Sequence, residues 1–213
     1  TYESIRIHTD HENEVHTVAF NSQGNLLASG SADNTIRIWN VLRGKCSQVL
    51  TGHTHWIRSV AFSPISQNSP EKREILASGS ADATIRLWNI QTGECLQTLT
   101  GHTSWVRSID FTPDGKTLIS GSSDKMIKHR DVETANCDRP DTGHDGGIYS
   151  IALSPCGEVL ASGSGDKTIR FWNVQTGETL KIFHGKIDQV LAIAFSNDDR
   201  TLACVSQNQI VTL

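Results

Sequence analysis

The chain has 213 residues, 37% of them hydrophobic and 20% charged, with a formal net charge of −4. That length can bury a substantial core, and that balance excludes a disordered polypeptide. The slight acidity gives no general attraction to nucleic acid or to an anionic membrane, and no apolar run approaches the roughly 20 residues of a membrane span, so neither is an expected partner.

In chain order, the first segment with strand character is SIRIH, residues 4–8, and it stands alone. From there the chain repeats itself, which is the strongest organising signal a sequence can carry. NLLASGSADNTIRIWN (residues 25–40) returns as EILASGSADATIRLWN (74–89), TLISGSSDKMIKHRD (117–131) and VLASGSGDKTIRFWN (159–173), and a faded copy, TLACVSQNQIVTL, covers 201–213. Asp33, Asp82, Asp124 and Asp166 mark the period with steps of 49, 42 and 42, and Asn208 stands 42 further on. The long step holds PISQNSPEKRE (64–74), expected as a polar surface insertion that costs little to close. The units run approximately over 9–50, 51–99, 100–141, 142–183 and 184–213 of a single 1–213 domain or segment.

Each period contains four short segments with strand character, in the third unit at 106–111, 117–121, 126–130 and just before Gly143. Turn formers such as Pro-Asp-Gly separate them. Four antiparallel strands in some 40 residues make a twisted sheet with two apolar faces, which cannot bury both alone, so copies must stack. Radial stacking suits this period and predicts an all-β propeller of four-stranded antiparallel blades, five of them encoded here. Five cysteines, with Cys46, Cys95 and Cys137 in equivalent places, are expected as free thiols in a reducing, cytoplasmic setting.

The Gly-His pairs at 52–53, 101–102 and 143–144, with the Ser-x-Asp and Trp-Asn endings, resemble the WD-repeat β-propeller family, most closely its bacterial members with highly similar tandem repeats. Asn40, Asn89 and Asn173 replace the Asp that usually closes a family repeat. The resemblance implies that each repeat begins with the outer strand of one blade and continues with the inner three of the next. Residues 4–8 would then be an outer strand; closed onto the last triplet it would complete a five-bladed ring, but a segment of a larger, often seven-bladed ring is the favoured expectation. It also implies a buried chain in each blade from Trp indole to Ser to His to Asp. Matched by position, these are His11, Ser29, Asp33 and Trp39; His53, Ser78, Asp82 and Trp88; His102, Ser120 and Asp124; and His144, Ser162, Asp166 and Trp172.

Four recurrences of Ser, His and Asp argue against a hydrolase, whose triad is a single constellation with an oxyanion hole. No C-x-x-C or H-x-x-x-H is present, so no metal and no cofactor is expected. In the third unit Arg130 takes the Trp place; its stem is expected to lie on the sheet with its charge outward, leaving Ser120 without an indole donor at a cost of about 1–3 kcal/mol. The fifth unit departs from the quartet throughout, with Lys186, Cys204 and Asn208, and is expected to be the least stable blade.

Family partners often dock where loops enter the innermost strands. Those positions are Glu14 and His16, Trp56 and Arg58, Trp105 and Arg107, Gly147 and Tyr149, and Gln189 and Leu191. Trp, Arg and Tyr are the side chains most enriched in binding hot spots, and two adjacent Trp-Arg pairs suit an acidic or phosphorylated peptide. The competing reading packs Trp56 and Trp105 between blades under their arginines. The functional expectation is a non-enzymatic protein-interaction scaffold or sensor, fused to or associated with other domains as in bacterial relatives of this style. The alternative is an enzyme at the channel mouth, for which the inner strands offer a single carboxylate, Asp110.

Overall fold

A computed structural model describes residues 7–64, 74–141, 143–184, 188–207 and 210–212. The strands come in groups along the chain. The first blade is β1 (Val15–Phe20), β2 (Leu26–Ser31), β3 (Ile36–Asn40) and β4 (Lys45–Leu50), and the second is β5 (Ile57–Phe62), β6 (Ile75–Ser80), β7 (Ile85–Asn89) and β8 (Cys95–Leu99). The third is β9 (Val106–Phe111), β10 (Thr117–Ser122), β11 (Ile127–Asp131) and β12 (Cys137–Asp141), and the fourth is β13 (Ile148–Leu153), β14 (Val159–Ser164), β15 (Thr168–Asn173) and β16 (Thr179–His184). The fifth has β17 (Val190–Phe195), β18 (Leu202–Ser206) and β19 (Ile210–Thr212). Among the described residues each group is one antiparallel meander, giving four sheets of four strands and one of three. The insertion at 65–73, Lys186, Asn208 and residues 4–6 of the lone N-terminal strand lie outside the described residues. Ile7 and His8 are not in a strand, and the His8 ring lies 4.4 Å from that of Trp39.

The second strand of each blade explains the repeated LASGS motif. From its second residue onward every position of β6, β10 and β14 is buried, because a neighbouring blade covers each face. Only small residues allow sheets to approach so closely on both sides. The four core clusters accordingly lie in the seams. One joins Ala28, Ile36 and Ile38 of the first blade to Ile57, Val60 and Leu76 of the second, and the others bridge second to third, third to fourth and fourth to fifth. Innermost strands β1, β5, β9, β13 and β17 pack against one another in chain order. Stability is thus a sum of neighbour interfaces, as in other repeat proteins.

The turn between second and third strands places a non-glycine residue in the left-handed region in four blades: Asn34, Ala83, Lys125 and Lys167 have φ between 67° and 73°. This conformation costs energy for a residue with a Cβ, and persists where its surroundings enforce it. The aspartate just before each supplies that enforcement. In the second blade Asp82 accepts the Thr84 N–H at 2.9 Å and the Thr84 hydroxyl at 2.6 Å. In the third blade the outer strand survives its altered sequence: Pro140 of β12 pairs with Lys128 of β11, and β12 is an edge strand, where a residue without an N–H is tolerated.

Candidate functional site

Two sets of residues were singled out by sequence, and the structure places them at different depths. The first set lies under the Gly-His turns. His53 Nδ1 is 2.8 Å from Asp82 Oδ2, His53 Nε2 is 2.8 Å from Ser78 Oγ, and the Trp88 indole N–H donates to Ser78 Oγ at 2.8 Å. His11, Asp33, Ser29 and Trp39 repeat this at 2.7, 2.7 and 2.8 Å, and His144, Asp166, Ser162 and Trp172 do so with the same three distances. A carboxylate only accepts, which assigns the ring proton to Nδ1; Nε2 then accepts the serine hydroxyl, whose oxygen accepts the indole N–H. The indole N–H, the serine hydroxyl and both ring nitrogens of each such quartet are thus all used. The serine is therefore committed to binding its own blade together, and the same geometry appears in blade after blade.

The aspartates are held ionised. Burial alone would raise them, but the hydrogen bonds from His102 to Asp124, and from Thr168 and His144 to Asp166, outweigh it and bring both to about 2. Asp33 and Asp82 lie well below the usual carboxylate range for the same reason, Thr35 with His11 and His53 with Thr84 overcoming burial.

The third blade keeps His102 at 2.7 Å from Asp124 and 2.9 Å from Ser120, without the indole. Arg130 does not carry its charge outward. It is 5% exposed, and its Nη2 donates to the Thr100 carbonyl. The reason is the slot left by the missing ring. A Cβ on Gly143 would meet the far edge of Trp172 at 3.2 Å, and one on Gly101 would meet Arg130 Nη2 at 3.3 Å. The planar guanidinium thus lies where an indole edge lies elsewhere, with Thr100 as acceptor. Its Nε has no partner among the described residues, a cost that an indole would not carry. Arg130→Trp is expected to raise the unfolding free energy by about 1–3 kcal/mol, read as a higher urea midpoint at unchanged slope.

The second set lies where the loops enter the innermost strands, and the structure gathers much of it into one cluster. The Trp56 and Trp105 rings stand edge to face at 5.8 Å. The Arg107 guanidinium sits 5.0 Å from the Trp105 ring and 4.6 Å from that of Tyr149, and Arg58 lies 5.9 Å from Trp105. His16 approaches Trp56 at 5.7 Å, while Glu14 is exposed at the rim. Arg58, Arg107 and Tyr149, with Gln189 and Leu191, line a concave opening. Trp56 is 37% exposed and Trp105 half-buried, so the outer indole is open and the inner one is covered by arginine. Gly147 approaches Ser123 of the preceding blade too closely for a side chain to fit easily, 3.2 Å from a would-be Cβ.

Burial pulls the Arg58 and Arg107 pKa values down, and in Arg107 the charge of Arg58 adds to it. Burial likewise lowers His16, with Arg58 contributing. Among the described residues neither arginine forms an ion pair. Sequence reasoning passed over two members of this cluster. His55 contacts both indoles, its ring edge-on to Trp56 at 5.1 Å and tilted to Trp105 at 6.2 Å, and its presence in Gly-His-Thr-His-Trp could have drawn notice. Ser123 accepts the Arg107 Nε–H at 2.5 Å, a contact across 16 residues with no local signature.

Asp110, the inner-strand carboxylate, accepts the Leu153 N–H at 3.3 Å and the Phe111 N–H at 2.9 Å, so it staples the third blade to the fourth. Among the described residues no group of three His, Cys, Asp or Glu side chains could hold a metal ion, and no helix is long and apolar enough to cross a membrane.

The family model for the WD domain, G-beta repeat, matches residues 2–40, 44–89, 93–131, 136–173 and 177–213. Curated relatives match over shorter stretches. Nuclear distribution protein PAC1 of Mycosarcoma maydis is 54% identical over 41 residues, 19% of this chain and 9% of the relative. Protein tipD of Dictyostelium discoideum is 45% identical over 56 residues, 26% of this chain and 9% of the relative. Nuclear distribution protein PAC1-2 of Uncinocarpus reesii is 43% identical over 67 residues, 28% of this chain and 15% of the relative. The matched stretches thus span well under a fifth of these relatives' lengths. Five matched repeats over nearly the whole chain, each supplying the three inner strands of one blade and four of them a His-Ser-Asp core, place this protein in the WD40 repeat family.

Proposed function

We propose that the protein is a non-enzymatic interaction module that captures a peptide segment bearing an acidic or phosphorylated side chain at the loop face around Trp56, Arg58, Trp105, Arg107 and Tyr149. WD40 repeats indicate a protein–protein interaction scaffold, and this face is where the chain departs from its own repeat. The observation that carries the reading is Arg107, sandwiched between Trp105 and Tyr149 beside Arg58 with no carboxylate in ion-pair range among the described residues. Two guanidinium groups, half-buried and repelling each other, gain most from an anion that accepts from both. The flanking rings supply rigid apolar area for the rest of the peptide at little entropic cost. Tyr149 and Gln189 set one end of the groove and Glu14 and His16 the other, which gives the face a direction. In this reading the module works in the cytoplasm with its thiols reduced, alongside other domains.

The test is retention on an immobilised pool of acidic phosphoserine peptides. Combined Trp56→Ala and Trp105→Ala is expected to weaken retention by at least tenfold while the thermal midpoint stays within a few degrees. Collapse of the fold, or unchanged retention, would assign these rings to packing instead.

A further inference from the structure

At the end of the blades opposite the loop face, where first strands turn into second strands, the seam between the third and fourth blades differs from the others. Leu26 and Ile38 of the first blade pack into the seam with the second, and Ile75 and Leu87 of the second pack into the seam with the third. Phe171 does the same between the fourth and fifth. The third blade places Thr117 and His129 at the positions of Ile75 and Leu87. His129 pairs with Ile119 in the ladder, and Thr117 lies two residues before Ile119. Both side chains therefore share the face that Ile119 turns to the fourth blade. An aliphatic pair there would extend the core. A polar pair breaks the pattern of the seams, and such local departures collect at functional sites.

The departure coincides with a cavity. Asp114, Thr117, His129, Cys156, Val174 and Gln175 are among the residues lining an opening of about 380 Å³, within the roughly 300–1,000 Å³ of small-ligand sites. His129 is 4% exposed and Val174 8%, so these two form its inner wall. The hairpin turns of the two blades meet beside it: a Cβ on Gly157 would stand 2.7 Å from the Pro113 ring, a contact that braces the rim.

One carboxylate sets the charge of the lining. Asp114 accepts the Thr112 hydroxyl at 2.6 Å and the Lys116 N–H at 3.0 Å, both at Oδ1. These bonds hold it below the usual carboxylate range, hence ionised, and leave Oδ2 to accept from elsewhere. Among the described residues no lysine or arginine lines the cavity, so the complementary guest is a cation. A guanidinium is more weakly hydrated than an ammonium and presents a flat fork of donors, which suits a half-enclosed space offering a carboxylate, a hydroxyl and an imidazole plane. We propose that this cavity is a binding site for a guanidinium group on an aliphatic stem. Asp114 is its counter-ion, the Thr117 hydroxyl a second acceptor, and Val174 and Pro113 the walls for the stem. The site lies at the other end of the blades from Trp56 and Trp105, so it is independent of the loop face.

Titration with butylguanidinium, followed by NMR, tests this. The Val174 methyl and His129 ring signals are expected to shift saturably. Pentanoate, with the same stem and the opposite charge, is expected to move neither. Asp114→Asn keeps the acceptor for Thr112 and Lys116 but not the charge, and should weaken binding at least about tenfold. Thr117→Ile with His129→Leu installs the pair that the second blade already carries. It is expected to abolish the response at Val174 with no loss in urea midpoint. The tripeptide acetyl-Gly-Arg-Gly-amide distinguishes two sources of the group. Tighter binding than butylguanidinium assigns the site to an arginine of a protein partner, weaker binding assigns it to a free small molecule, and either supports it. No shift with either probe would overturn the proposal. Equal response to pentanoate, or undiminished binding by either variant, would also overturn it.

Discussion

Acidification from pH 5 to pH 2 is expected to remove several kcal/mol of stability, through the four buried aspartates. Asp124 and Asp166 titrate near 2 in the fold against an ordinary value of 3.8, so each contributes roughly 2 kcal/mol above that ordinary value. A carboxylate depressed by folding stabilises the fold above its unfolded pKa and ceases to do so as the pH falls through its folded one, which sets the window at about pH 4 to 2. Asp33 and Asp82 shift in the same direction and add to the loss. His144 acts with the same sign. Burial lowers its ring despite Asp166, so the unfolded chain takes up that proton first as the pH drops below the ordinary value of 6.5. The urea midpoint should therefore decline gently below pH 6.5 and steeply below pH 4. Asp166→Asn should lower the plateau and flatten the steep limb; an unaltered limb would mean that the depressed pKa values do not support the fold.

Removal of one indole should be nearly as damaging. Trp88 is 1% exposed, contributes to the core between the first two blades and donates to Ser78 at 2.8 Å. Trp88→Ala is expected to cost about 3–5 kcal/mol, since the seam cannot collapse onto the cavity without separating from its neighbour blades. Trp88→Phe keeps most of the apolar volume but not the donor, and should cost about 1 kcal/mol through the hydrogen bond plus a small packing loss. Denaturant titration of both variants separates the two contributions. Equal costs would mean that the ring serves only as a donor.

The fold was legible because its determinants are local and repeated. Strands at 106–111 and 117–122 fall where alternation and turn formers put them, and the small residues of LASGS report a strand covered on both faces. What could not be read depends on contacts across the chain. Arg130 turns inward because the Thr100 carbonyl, 30 residues away, waits at the bottom of an indole-shaped slot. Arg107 is placed by rings from two blades and by Ser123. Asp110 looks like an isolated inner carboxylate until Leu153 of the next blade is seen to donate to it. The loop-face positions were identifiable by their variation between repeats, but their convergence on one cluster is a property of blade curvature, which no single repeat encodes.

The five tryptophans divide into three buried donors, Trp39, Trp88 and Trp172, and two on the loop face, Trp56 and Trp105. Their indole N–H resonances therefore test the proposed function in one spectrum. On titration with an acidic phosphoserine peptide pool, the Trp56 and Trp105 signals and the Arg58 and Arg107 Nε–H signals are expected to move together, while the three buried indoles stay fixed. A binding isotherm that moves the buried indoles, or that leaves Trp56, Trp105 and both arginines unchanged, would contradict the account.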